Sequence, residues 1–110
     1  TTQNNLGTAL KDLGTRESGK ARLEEAVEAH LEATQELTRA RVPVQWAVTQ
    51  HNLAVVQRAL FEKDREPRNL DEALLSVDGA LEEFRSANKS RLIEMAEILR
   101  EKILAAKGEL

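Results

Sequence analysis

The chain has 110 residues and a formal net charge of −3, and it contains no cysteine. This charge balance gives no electrostatic reason to expect nucleic acid or an anionic membrane as a partner, and the lack of cysteine excludes disulfides and thiolate metal sites. No apolar run approaches the roughly 20 residues that span a bilayer, and no signal-peptide pattern is present. Alanine, leucine, glutamate and arginine dominate the composition, which favours helices. We therefore expect one all-α domain with a cytoplasmic location.

Two helices are predicted in the first part of the chain. The first carries an apolar stripe at helical spacing, which we expect to face the core: Leu6, Ala9, Leu10 and Leu13. Turn residues 14–19 (GTRESG) are predicted to end this helix. A second stripe predicts the next helix: Leu23, Ala26, Val27, His30, Leu31, Ala33, Thr34 and Leu37. We expect His30 to be a core histidine with one ring nitrogen hydrogen-bonded.

Two further helices are predicted in the middle of the chain. The first begins near Pro43, since proline suits the first turn of a helix, and it ends near Phe61. Residues 62–67 (EKDREP) form the predicted loop. Asn69 is the predicted N-cap of the following helix, because Glu72 stands three residues later as a capping-box partner.

The two halves of this pattern repeat one another at an offset of 47 residues. Thr2, Gln3, Asn5 and Leu6 return as Thr49, Gln50, Asn52 and Leu53, and the LEEA of residues 23–26 returns as the LDEA of residues 70–73. A fifth predicted helix follows with divergent sequence, as expected of a terminal repeat that meets solvent. We predict one domain over residues 1–110, with repeat 1 at about 1–41, repeat 2 at about 42–88 and a capping helix at about 89–108. We expect the domain to be a segment of a longer array.

The repeated pattern resembles the tetratricopeptide repeat family, in particular its longer repeats of the kinesin-light-chain type. The matching residues are Asn5-Leu6-Gly7, Leu13-Gly14, residues 23–26 and Ala33 in the first copy, and Asn52-Leu53-Ala54, residues 70–73 and Ala80 in the second. The repeat is longer than the family's usual unit of about 34 residues. The resemblance implies a helical-hairpin solenoid of about five antiparallel helices, in which the first helix of each repeat lines a concave groove.

Helical spacing assigns the groove residues as the neighbours of the core positions on these first helices. They are Asn4, Asn5, Thr8, Lys11 and Asp12 in the first copy and Val48, His51, Asn52, Val55 and Arg58 in the second, with Glu94, Glu97, Ile98 and Glu101 extending the set. The resemblance implies that Asn5 and Asn52 hold the backbone of a bound extended peptide, since asparagine offers one acceptor and two donors. The alternative is that both brace the scaffold. Lys11 and Arg58 would favour acidic groups on the ligand.

The leading functional hypothesis is a non-catalytic protein-interaction module that binds an extended peptide or a partner helix in this groove. No phosphate loop, metal-ligand spacing or nucleophile pattern indicates an enzyme or a cofactor. The rival hypothesis is a structural segment of a longer array that has no groove ligand and self-associates through exposed repeat ends. Binding of RNA is a weaker alternative, because the net charge is acidic and the groove has no aromatic residues for base stacking.

Overall fold

The computed structural model describes residues 2–16 and 19–110, and within those ranges it contains α-helices and no strand. The helices are α1 (Thr2–Arg16), α2 (Ala21–Glu36), α3 (Pro43–Asp64), α4 (Pro67–Ser86) and α5 (Ser90–Gly108). The predicted all-α class, with about five helices, is thereby confirmed. None of the described helices is both long enough and apolar enough to cross a membrane.

The odd-numbered helices form one face of the molecule. Consecutive helices pack against one another along the whole chain, from α1 on α2 to α4 on α5. In addition, α3 touches both α1 and α5. Side chains that point away from the even-numbered helices on α1, α3 and α5 therefore share a surface.

Two hydrophobic clusters hold the helices together. The larger joins α3, α4 and α5, and its members Leu70, Phe84 and Ile103 are at most 1% exposed. The smaller joins α2 to α3 through four buried side chains: Leu23, Ala26, Val56 and Leu60. Full burial of a large aliphatic or aromatic side chain stabilises the fold by roughly 1.5–3 kcal/mol, so most of the hydrophobic stabilisation lies in α3, α4 and α5.

The loop predicted from residue 14 onwards begins later than expected. Helix α1 continues through Gly14 to Arg16. An added Cβ at Gly14 would lie 2.8 Å from the Leu23 side chain, so this glycine allows α1 to approach α2 rather than making a turn. Its role is the close approach of two helices.

The corner between α3 and α4 also differs from the prediction. Helix α3 continues past Phe61 to Asp64 and ends on Arg65, whose φ of 58° is left-handed. Helix α4 then begins at Pro67, so the prediction of Asn69 as an N-cap is wrong.

The side chain of Asn69 has a different task. It lies in the first turn of α4 and donates from Nδ2 to both carboxylate oxygens of Asp64, at 3.1 and 3.2 Å. Lys20 pairs with the same carboxylate at 3.3 Å. Burial alone would raise the pKa of Asp64, but hydrogen bonds from the Glu66 backbone N–H, Lys20 and Asn69 lower it. The carboxylate thus fixes the α3–α4 corner and ties it to the start of α2.

The predicted core stripe of α1 is wrong at three of its four positions, because Leu6, Ala9 and Leu13 are exposed. Leu6 is 46% exposed and Leu13 is 49% exposed, whereas their counterparts Leu53 and Leu60 on α3 are 3% and 6% exposed. Helix α2 covers that side of α3, but no helix of the described ranges lies on the matching side of α1. Within residues 3–16, where the burial of α1 is described, Gly7 and Gly14 are the buried residues.

Candidate functional site

Three adjoining cavities lie along the surface shared by α1, α3 and α5, which we call the groove face. We define it by ten of the side chains that line these cavities on the three helices: Thr8, Lys11, Val48, His51, Asn52, Val55, Arg58, Met95, Ile98 and Lys102. Asn52, His51 and Val55 each line two of the cavities, so the three are continuous. Most of the groove residues predicted from the sequence are therefore brought together.

A buried polar network underlies the α1 end of the groove face. Asn4 Oδ1 lies 2.6 Å from His30 Nδ1, and Asn52 Nδ2 donates to it at 3.5 Å. Because this oxygen is only an acceptor, His30 carries its proton on Nδ1. No described group bonds Nε2, which is buried. His30 is thus the predicted core histidine with one satisfied nitrogen, and burial lowers its pKa to about 4.

The network bears on the two asparagines expected to act together. The partner of Asn52 across the helices is Asn4, and Asn5 is exposed and lines none of the three cavities. The Asn52 amide therefore links α3 to α1 through Asn4. It also lines the cavity of about 180 Å³ between α1 and α3, together with Thr8, Lys11 and His30.

The centre of the groove face is apolar. A cavity of about 90 Å³ is lined by Val48, Phe84, Leu92 and Met95, with His51 and Asn52 at its polar edge. Beside it, Met95 is 46% exposed and Ile98 is 50% exposed. These side chains offer contact to the apolar part of a ligand.

Cations line the α5 end of the groove face. The third cavity, of about 300 Å³, carries Arg58 and Lys102 beside Val55, Met95 and Ile98, and no described carboxylate lines it. Arg58 lies 3.5 Å from the exposed Glu62, and Lys102 makes no ion pair with any described residue. Lys11, in contrast, pairs with Asp12 at 2.7 Å, and this contact lowers the pKa of Asp12. Arg58 and Lys102 are therefore the cations of this cavity, and they share a second, neighbouring cavity with Glu62 and Glu109.

Helix α3 also presents buried polar atoms without partners. His51 Nδ1 and Arg58 Nε are inaccessible to solvent, and neither meets a hydrogen-bond partner in the described part of the chain. Burial lowers the pKa of His51, so its ring is neutral at pH 7. An unpaired buried polar atom costs about 1–3 kcal/mol, and a bound ligand that reached these atoms would recover part of it.

The predicted extension onto α5 is correct at one position only. Ile98 lies on the groove face, but Glu97 pairs with Arg85 of α4 at 3.3 Å, and Glu101 lies in the cavity between α4 and α5. Glu94 is exposed and lines none of the three cavities. The residues that sequence reasoning missed are Met95 and Lys102. Their spacing from Ile98 places them on one side of a helix, and this signal becomes readable once one member of the set is known.

Asp12 is the remaining predicted groove residue. Its side chain is 58% exposed and contacts Lys11 without lining a cavity of the groove face. Within the described residues, no group of three His, Asp or Glu side chains could hold a metal ion. Compared with protein-family models, with curated proteins and with solved structures, the chain matches none.

Proposed function

We propose that the protein is a non-catalytic interaction module, a solenoid of tetratricopeptide-like helix pairs whose groove face binds an extended peptide with acidic side chains. The observation that carries the proposal is the cationic cavity. Arg58 and Lys102 flank the apolar surface of Val55, Met95 and Ile98, and no described carboxylate lines that cavity. A peptide carboxylate would pair with Lys102 there and would compete with the exposed Glu62, 3.5 Å away, for Arg58.

The same surface sets the strength of binding. The groove face is shallow and its cations are partly exposed, so salt screens their attraction for a carboxylate. Apolar contact with Met95 and Ile98 adds a part that does not depend on salt. A short linear motif is therefore expected to bind with micromolar affinity, which is about −8 kcal/mol, and to weaken as ionic strength rises.

A selection from a random peptide library with the intact chain tests this function. We expect the selected peptides to be enriched in Asp and Glu. The variant R58E/K102E should bind them at least about tenfold more weakly, a change of about 1.4 kcal/mol.

The matched control is R68E/R91E, which makes the same charge change at exposed positions on α4 and α5. It should bind as the wild type does. The proposal is wrong if the selected peptides show no acidic enrichment, or if both variants lose binding equally.

The second candidate function is structural: a self-associating segment of a longer array with an empty groove. The half-exposed Leu6 and Leu13 favour it, because large apolar side chains left uncovered in a row are a surface for association. Sedimentation of the wild type and of L6E/L13E tests it. This function requires a concentration-dependent assembly that the variant loses.

A further inference from the structure

Helices α1 and α3 carry the same outer stripe, and one of the two stripes is covered. On α3 the stripe is Leu53, Val56 and Leu60, which are 3%, 1% and 6% exposed. The offset of 47 residues places Leu6, Ala9 and Leu13 at the matching positions of α1. We call these three residues the α1 stripe, and all three are exposed.

The contact of α2 with α3 shows which side chains pack on such a stripe. Leu23 and Ala26 of α2 share one hydrophobic cluster with Val56 and Leu60 of α3, and Val27 packs at its edge. The covering pattern is thus a leucine, an alanine three residues later and a valine beside it, which lie on one face of a helix. The alanine is small and allows the two helix axes to approach closely.

We propose that the α1 stripe is a second docking surface, separate from the groove face, and that its occupant is an amphipathic helix with the Leu-x-x-Ala-Val pattern of α2. The bound helix would pack on α1 as α2 packs on α3, at positions 47 residues earlier in the repeat. The bound helix would cover Ala9 and Leu13 as α2 covers Val56 and Leu60.

A synthetic peptide with the sequence of residues 19–38 is the probe. Isolated helices of this length are marginally stable in water, so the peptide carries Glu28→Lys and a lactam from that lysine to Glu24, both at positions exposed on α2. Fluorescence anisotropy with the intact chain should give saturable binding. The same peptide with Leu23→Glu should bind at least about tenfold more weakly.

Variants of the intact chain locate the site. L6E/L13E should lose the peptide, and it should keep the wild-type fold because both positions are already half-exposed; circular dichroism checks this. L75E is the matched control, since Leu75 is 75% exposed on α4, and it should bind normally. R58E/K102E should also bind the peptide normally. The proposal for the α1 stripe and the proposal for the groove face are therefore tested independently of each other.

Three results would overturn the proposal. The first is no saturable binding of the stapled peptide. The second is binding that L6E/L13E retains, which moves the site elsewhere. The third is a wild-type dimer in sedimentation that excludes the peptide and that L6E/L13E abolishes, which makes the occupant a second copy of this chain.

Discussion

The two helix pairs, α1–α2 and α3–α4, place different side chains at the same internal contact. In the first pair Gly7 lies against the ring of His30, and an added Cβ there would sit 2.7 Å from Nε2. At the matching positions the second pair has Ala54 and Val77, both fully buried. A larger residue on one helix is thus matched by a smaller one on the other. The two contacts therefore have similar volumes but different polarity.

The polar version of the contact requires a third residue. Asn4 accepts a hydrogen bond from His30 at 2.6 Å, and its counterpart in the second pair is His51. Because Val77 offers no polar atom where His30 does, His51 Nδ1 is left without a partner among the described residues. The difference between the pairs therefore accounts for one of the unpaired atoms on the groove face.

Introducing a histidine at the matching position of the second pair should produce the largest loss in the free energy of unfolding. Val77→His places an imidazole against Ala54, in an apolar cluster that includes Leu81 and Phe84. Overpacking costs about 1–3 kcal/mol and an unsatisfied buried polar group costs a similar amount, so we expect a loss of about 4 kcal/mol in the free energy of unfolding in urea.

Two added changes sharpen this test. Adding Ala54→Gly should recover about half of the loss, since it restores the space that Gly7 provides in the first pair. Adding His51→Asn as well reproduces the whole trio and should recover more. A loss below about 1 kcal/mol for V77H alone would contradict conservation of volume at this contact.

The buried histidine should make stability depend on pH. The pKa of His30 is lowered to about 4 in the folded chain, against about 6.5 when unfolded. The unfolded state therefore takes up the proton first. The neutral ring's full contribution is present above pH 6.5, and it is lost as the pH falls from 6.5 to 4. The predicted loss is about 3 kcal/mol.

Urea unfolding at several pH values measures this loss, and G7A/H30V is the control. In that variant the contribution of His30 to the pH dependence of the unfolding free energy is absent. A smaller dependence of the same sign remains, because burial also lowers the pKa of His51. A wild-type stability that does not change between pH 6.5 and 4 would disprove the prediction.

Sequence periodicity predicted the elements and most of one face. Pro43 marked the start of α3 correctly, because proline is favoured at a first helical position and excluded from the helix interior. Val48, His51 and Val55 lie together on the groove face because the period of 3.6 residues returns them to one side of α3. Their spacing is a local property, which the sequence determines directly.

Features that depend on neighbouring helices were not predictable in this way. Leu6 and Leu53 have the same local pattern, so periodicity alone assigned both to the core. In the described part of the chain, however, a helix covers the stripe of α3 and none covers that of α1. Asn69 has the spacing of a capping box, but its amide bonds Asp64 instead, and Pro67 was the better start signal. On α5 the repeat markers are absent, so the register that brings Met95 to the groove face was ambiguous.

The smallest expected effect comes from making the first pair resemble the second. Gly7→Ala places a methyl group within 2.8 Å of three atoms of the buried His30 ring. Overpacking of about 1–3 kcal/mol is offset by a gain in helix propensity of about 1 kcal/mol, which leaves a net loss of about 1 kcal/mol.

His30→Val on its own should also destabilise, since it leaves a void against Gly7 and removes a donor from Asn4. The double variant G7A/H30V carries the same residue types as Ala54 and Val77, so it should regain the stability lost to the void and keep only the loss of the hydrogen bond to Asn4. The double-mutant cycle measures the coupling directly. If the losses of the two single variants simply add in the double variant, Gly7 and the His30 ring are not coupled by packing. The two helix pairs would then correspond in sequence position but not in how this contact is packed.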